Sequence, residues 1–90
     1  GYLQVDSLLF FFINKNYQLK ETPVTLVDYV VISGNPFLNM EALGKEFPHA
    51  VFLLDGSNSR KSIQYWKKYF NEHKMPYYDI TEQGYLALSR

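Results

Sequence analysis

Val27-Asp28-Tyr29-Val30-Val31-Ile32-Ser33-Gly34-Asn35-Pro36 and Ala50-Val51-Phe52-Leu53-Leu54-Asp55-Gly56-Ser57-Asn58-Ser59 follow one plan: an apolar run that stops abruptly in small polar residues and glycine. Runs this short and this continuous mark strands covered on both faces, because a face open to water would alternate with polar residues. Between them, Asn39 can cap a helix through its side-chain oxygen, Glu41 suits the first turn, and Met40, Leu43 and Phe47 recur at helical spacing until Pro48. Strand, helix, strand in this order predicts a right-handed parallel crossover. A second helix, 59–74, carries Ile63, Trp66 and Phe70 on one stripe, with Tyr69 at its margin, and stops at Met75-Pro76.

Working outward, Ser7 to Ile13 reads as a strand, Asn14-Lys15-Asn16 as a turn, and Tyr17 to Lys20 as its hairpin partner, ending at Pro23, which lacks the amide a ladder needs. At the other end, Tyr77-Tyr78-Asp79-Ile80 and Tyr85-Leu86-Ala87-Leu88 flank Thr81-Glu82-Gln83-Gly84 and predict a closing hairpin. The expected fold class is α/β, a small mixed sheet with two helices in the order ββ-β-α-β-α-ββ. Residues 1–90 form a single domain, since 90 residues, 47% of them hydrophobic and 18% aromatic, suffice for one core and not for two. No repeat or linker divides them.

Nine basic and nine acidic residues give a formal net charge of zero, which excludes a polycationic nucleic-acid wrapper, so an electrostatic partner must be met locally. The absence of cysteine excludes disulfides, thiolate chemistry and Cys-ligated metal. The longest apolar run, Leu8 to Ile13, is far short of the roughly 20 residues that span a bilayer. No basic leader with a small-residue cleavage site opens the sequence, which reads as a mature or excised piece.

Two candidate surfaces follow. In open α/β sheets ligands gather beyond the carboxyl ends of parallel strands, here Ser33, Asn35, Asp55, Gly56, Ser57 and Asn58. Asp55 is placed as a strand-end carboxylate, Gly56 lets the backbone approach a ligand, and the amides opening the second helix can take an anion. The same residues equally well hydrogen-bond their own turns and cap the helix, which would engage the groups a ligand needs. The second surface is the long helix, where Arg60, Lys61, Lys67, Lys68 and Lys74 stand against Glu72 alone, beside Tyr65 and Tyr69. Lysines with interleaved aromatics suit phosphate contacts and base stacking, and they also describe the wetted side of any amphipathic helix.

Catalytic and metal chemistry find no pattern. His49 and His73 have no HxH or HxxxH partner, Ser33 lacks a G-x-S-x-G elbow, and Asp28 opens its strand whereas Asp55 closes its own, so the two belong at opposite ends of the sheet. No catalytic residue, metal ligand or cofactor is assigned.

Four pieces in order carry a family resemblance: Val27 to Pro36, Asp55-Gly56-Ser57-Asn58, Trp66-Lys67-Lys68, and Asp79-Ile80-Thr81-Glu82-Gln83-Gly84-Tyr85. From Val27 onward the chain resembles the C-terminal part of the metallo-β-lactamase-like domain of ComEC-type competence proteins, polytopic inner-membrane channels for DNA uptake, and especially a divergent branch. Where zinc-type members carry His-His-Gly-Ser, this chain has Ser33-Gly34-Asn35-Pro36. Where they carry Asn-Asn followed by Gly-His-Pro, it has Ser57-Asn58 followed by Ser59-Arg60-Lys61. The upstream HxHxDH segment lies outside these residues. The resemblance implies half of an αββα sandwich with one sheet face open, a degenerate and non-catalytic site, and a domain outside the membrane on its extracytoplasmic side. The implied partners are the remainder of the membrane protein, single-stranded DNA through Arg60, Lys61, Lys67 and Lys68 with Tyr65 stacking, and, for the isolated piece, a second copy. Two alternatives accompany this reading: a purely structural module, and a metal-dependent phosphodiesterase site at Asp55 and Asn58 completed by residues from elsewhere.

Overall fold

The structure, a computed structural model, describes residues 1–20 and 22–83. Strands β1 (Tyr2–Val5), β2 (Leu8–Ile13), β3 (Tyr29–Ile32), β4 (Val51–Leu54) and β5 (Tyr77–Asp79) lie side by side in sequence order. The first pair is antiparallel and every later pair is parallel, which makes the sheet mixed. Helices α1 (Met40–Glu46) and α2 (Arg60–Glu72) connect β3 to β4 and β4 to β5. Each crossover steps one strand in the same direction, and right-handed connections of that kind put both helices on one face.

The burial pattern agrees. Ile13, Val30, Ile32, Phe52 and Leu54 form one cluster with Leu43 of α1, Phe47 at its C-cap, and Ile63, Trp66 and Phe70 of α2. Phe70 lies between two aromatic neighbours, stacked on Phe52 at 5.1 Å and on Tyr77 at 5.3 Å. The alternate residues of the same strands point away from the helices. Leu3 pairs with Phe10, Phe10 with Tyr29, and Tyr29 with Val51, which places an apolar row across four strands on the face without helices. Next to it, Phe12 and Tyr78 are 39% and 40% exposed. Phe10 and Leu53 on that second face are themselves buried, so it is partly covered, as the continuous apolar runs of these strands require.

Two elements differ from the sequence expectation. The first hairpin does not run through Asn14-Lys15-Asn16 to Tyr17–Lys20; β2 pairs instead with β1, and Val5 faces Leu8 across a two-residue turn. Asp6 and Ser7 both adopt positive φ, 50° and 73°, as the tight turn favoured by twisted hairpins requires. A strand has two edges, and β1 and β3 occupy both edges of β2, so Tyr17–Lys20 has no ladder to join. Tyr17 and Leu19 pack onto the core from a loop. The Tyr17 hydroxyl and the Lys20 amide both donate to the buried Glu46 carboxylate, which ties that loop to the end of α1. Burial, followed by the bond to Glu46, pushes the Tyr17 phenol far above its ordinary range. At the other end of the chain, β5 runs parallel to β4 and continues into a single helical turn, α3 (Ile80–Gln83), rather than an open turn. Asp79 starts that turn by accepting from both the amide and the hydroxyl of Thr81. Gly84 and the expected strand Tyr85–Leu88 lie outside the described residues.

Candidate nucleic-acid interface

The strand-end loops come together as expected. Ser33 donates to Asp55, and Gly34 N donates to Ser57 Oγ at 2.7 Å. Asn35 N donates to Asn58 Oδ1 at 2.8 Å, and Asn35 Oδ1 accepts from Ser59 N at 3.0 Å. Asn58 is buried, and its amide nitrogen donates to the Ile32 carbonyl at 2.8 Å and to the Asp55 carbonyl at 3.0 Å. Both Asp55 carboxylate oxygens accept from neighbours, Oδ2 from Ser33 and Oδ1 from the Ser57 amide. Of the two readings of these residues, the geometry realises the one in which they bind each other. Gly34 (φ 76°) and Asn35 (φ 56°) take the left-handed conformation, whereas Gly56, expected to let the backbone approach a ligand, has no positive φ and an added Cβ there would meet Thr81 at an ordinary 3.5 Å. Asp28 is at the far end of the sheet from Asp55, accepting from Leu9 N at 2.8 Å.

Ser59 caps α2, its hydroxyl accepting from Ser62 N at 3.1 Å, so the helix start is already partly satisfied. The five residues assigned to DNA divide into three groups along this helix. Lys61, Tyr65 and Lys68 recur at spacings of four and three and share one exposed stripe, which Glu72 closes one turn later. Neither Lys61 nor Lys68 has a carboxylate partner among the described residues. Arg60 is exposed at the first turn and borders a small hollow of about 160 Å³ with Asn58, Gln64 and Thr81. Lys67 points the other way, to Asp79 at 3.3 Å, with only 17% of its side chain exposed. It joins α2 to the end of β5.

The stripe borders the largest hollow described, a groove of about 680 Å³ between α2 and the segment entering α1. Phe37, Met40, Tyr65, Trp66 and Tyr69 supply its apolar lining and Lys61 and Glu41 its charges. Phe37 is missing from the sequence reading. It follows Pro36 in an apolar pair, Phe37-Leu38, that looks like the lead-in to a buried helix face; Leu38 is indeed buried, but Phe37 is 97% exposed. Among the described residues no three His, Asp or Glu side chains gather as metal ligands. His73 stacks on Tyr69 at 3.9 Å.

Fold and surface together define a two-layer α/β domain with helices on one sheet face, a partly exposed second face and a basic, aromatic helix stripe. The family model of the ComEC C-terminal domain matches residues 1–90, and the chain belongs to that family of competence, DNA-uptake proteins. No curated protein and no solved structure matches it. The family is one of membrane proteins, and among the described residues no helix is long and apolar enough to cross a membrane.

Proposed function

We propose that the chain is a non-catalytic, extracytoplasmic part of a DNA-uptake protein, and that α2 contacts incoming DNA without sequence preference. We further propose that it corresponds to half of a metallo-β-lactamase-like sandwich, in a branch without the zinc-ligand motifs. The observation that carries the DNA contact is the stripe Lys61-Tyr65-Lys68, two cations without a carboxylate partner among the described residues, either side of an exposed aromatic on a capped helix. Arg60, at the first turn of α2 beside the separate hollow of Asn58, Gln64 and Thr81, adds a third cation off the stripe, whereas Lys67 acts chiefly through Asp79. The strand-end loops support the non-catalytic reading, because Asp55 and Asn58 direct their polar atoms at each other and at the backbone.

The test is the affinity of a labelled single-stranded oligonucleotide at several salt concentrations, for the wild-type chain and for Lys61→Glu/Lys68→Glu. Each neutralised phosphate contributes about −0.7 to the log–log salt slope of a single strand, so loss of two contacts should flatten it by about 1.4. An unchanged slope in the variant would remove DNA contact from α2.

A second reading is favoured by a different observation, the sheet face away from the helices, where Phe12 and Tyr78 remain 39% and 40% exposed beside the buried Phe10 and Leu53. In it the chain is a structural module whose open face packs on the remainder of the protein, and two isolated chains pair through the same face as a homodimer. Sedimentation of the isolated chain before and after Phe12→Lys separates the two, since only the dimer loses mass.

A further inference from the structure

We infer that the groove between α2 and the entry to α1 is a stacking site for unpaired nucleobases, with Phe37 and Tyr65 as its platforms and Lys61 and Lys68 holding the flanking phosphates. The inference rests on the DNA contact proposed above and adds to it a second element, a subsite and a preference for single strands.

Phe37 is the first reason. Its neighbours Pro36 and Leu38 are both buried, which fixes the backbone on either side, yet its own ring is 97% exposed. A single exposed ring is ordinary on a protein surface, and it becomes informative when a second one lies beside it. Tyr65, 62% exposed, borders the same groove from α2, so two solvent-facing rings from different elements border one hollow. The groove, at about 680 Å³, is open to solvent along its length, so a ring can be laid onto it from outside. Its apolar wall is Met40, Trp66 and Tyr69, suited to a flat aromatic guest.

Charge is the second reason. Glu41 is the groove's one carboxylate among its described lining residues, and it is paired with Lys45 at 3.7 Å. Lys61 remains at the rim, and Lys68 follows it by seven residues, about 10 Å along the helix at 1.5 Å per residue. A polyanion with aromatic side groups complements this arrangement: cations along one line and ring faces beside them. In a duplex the bases are stacked on each other and their faces are unavailable, so the groove discriminates in favour of single strands.

The experiment uses a labelled oligothymidylate and an abasic oligonucleotide of equal length at low salt, with the single tryptophan, Trp66, as an internal reporter. Wild type should bind the oligothymidylate about tenfold more tightly than the abasic strand and show quenching of Trp66 only with the former. Phe37→Ala/Tyr65→Ala should bind both strands equally, at the wild-type affinity for the abasic one. Phe37→Tyr/Tyr65→Phe, which keeps both rings, should restore the preference. Both substituted positions are exposed, and an unchanged circular dichroism spectrum and melting temperature check the fold. If the double alanine variant keeps the wild-type preference while Lys61→Glu/Lys68→Glu loses affinity, the stacking site is overturned, the DNA contact stands, and the groove becomes a place to seek a protein segment. If wild type binds neither strand, the DNA reading and the stacking site fall together.

Discussion

The strand-end loops and the exposed stripe of α2 meet at Ser59, are similarly polar, and are built on opposite principles. In the loops, Ser33, Asn35, Asp55, Ser57 and Asn58 hold one another, and a buried Asn58 fastens the end of β3 to the turn after β4. Along the stripe, Lys61 and Lys68 have no carboxylate partner among the described residues and Tyr65 has most of its ring in water. The contrast teaches that position in an α/β fold nominates a site, but the hydrogen-bond inventory of the side chains decides whether anything is left for a ligand. The loops serve the fold, and the stripe is where the fold leaves functional groups unengaged.

Substitutions can break this comparison, and the covered sheet face sets the upper end of the scale. Phe70→Ala removes a ring that contacts Phe52 and Tyr77 in the fully buried cluster, and chemical denaturation should show a loss of about 3–5 kcal/mol. Next comes Asn58→Ala in the loop network. It leaves the Asn35 amide without its acceptor and takes the closer of two donors from the Ile32 carbonyl, which keeps the Asp55 amide at 3.4 Å, for an expected loss of about 2 kcal/mol in the same measurement. A similar loss from Lys61→Glu/Lys68→Glu would contradict the contrast, since both positions are exposed and should change stability by less than about 0.5 kcal/mol. Ser59→Ala, at the junction of the two surfaces, removes the cap of α2 and should cost about 1 kcal/mol in a thermal melt. The smallest effect is of opposite sign. Ser7→Gly relieves a positive φ of 73° in the first hairpin and should raise the melting point slightly, equivalent to about 0.5 kcal/mol.

Much of this architecture was legible in the sequence wherever one local signal was unopposed. The apolar runs of β3 and β4 end where Ser33 and Asp55 stand, and Asn39 and Ser59 cap the helices that were expected to follow them. The first hairpin was misplaced because two turn signals competed: Asn14-Lys15-Asn16 is rich in turn residues and does form a turn, but Asp6-Ser7 is the one that reverses a strand. Tyr17 to Lys20 alternates like a strand while serving as a strap whose Tyr17 reaches Glu46, 29 residues away, a pairing no local pattern records. The candidate site follows the same rule. The sequence grouped Arg60, Lys61, Lys67 and Lys68 with Tyr65 as one basic face; it could not show that Lys67 turns to Asp79, leaving Lys61, Tyr65 and Lys68 as the exposed stripe, or that Phe37 arrives beside Tyr65 from another element.

The most direct test of the contrast is a paired measurement of single-stranded DNA affinity and unfolding free energy for Asn58→Ala and Lys61→Glu/Lys68→Glu, at a temperature where both are folded. The account predicts a crossed result: Asn58→Ala loses stability and keeps wild-type affinity, and the lysine variant keeps stability and loses affinity. Weakened binding in Asn58→Ala with wild-type binding in the lysine variant would contradict it, and would move the functional surface to the strand-end loops.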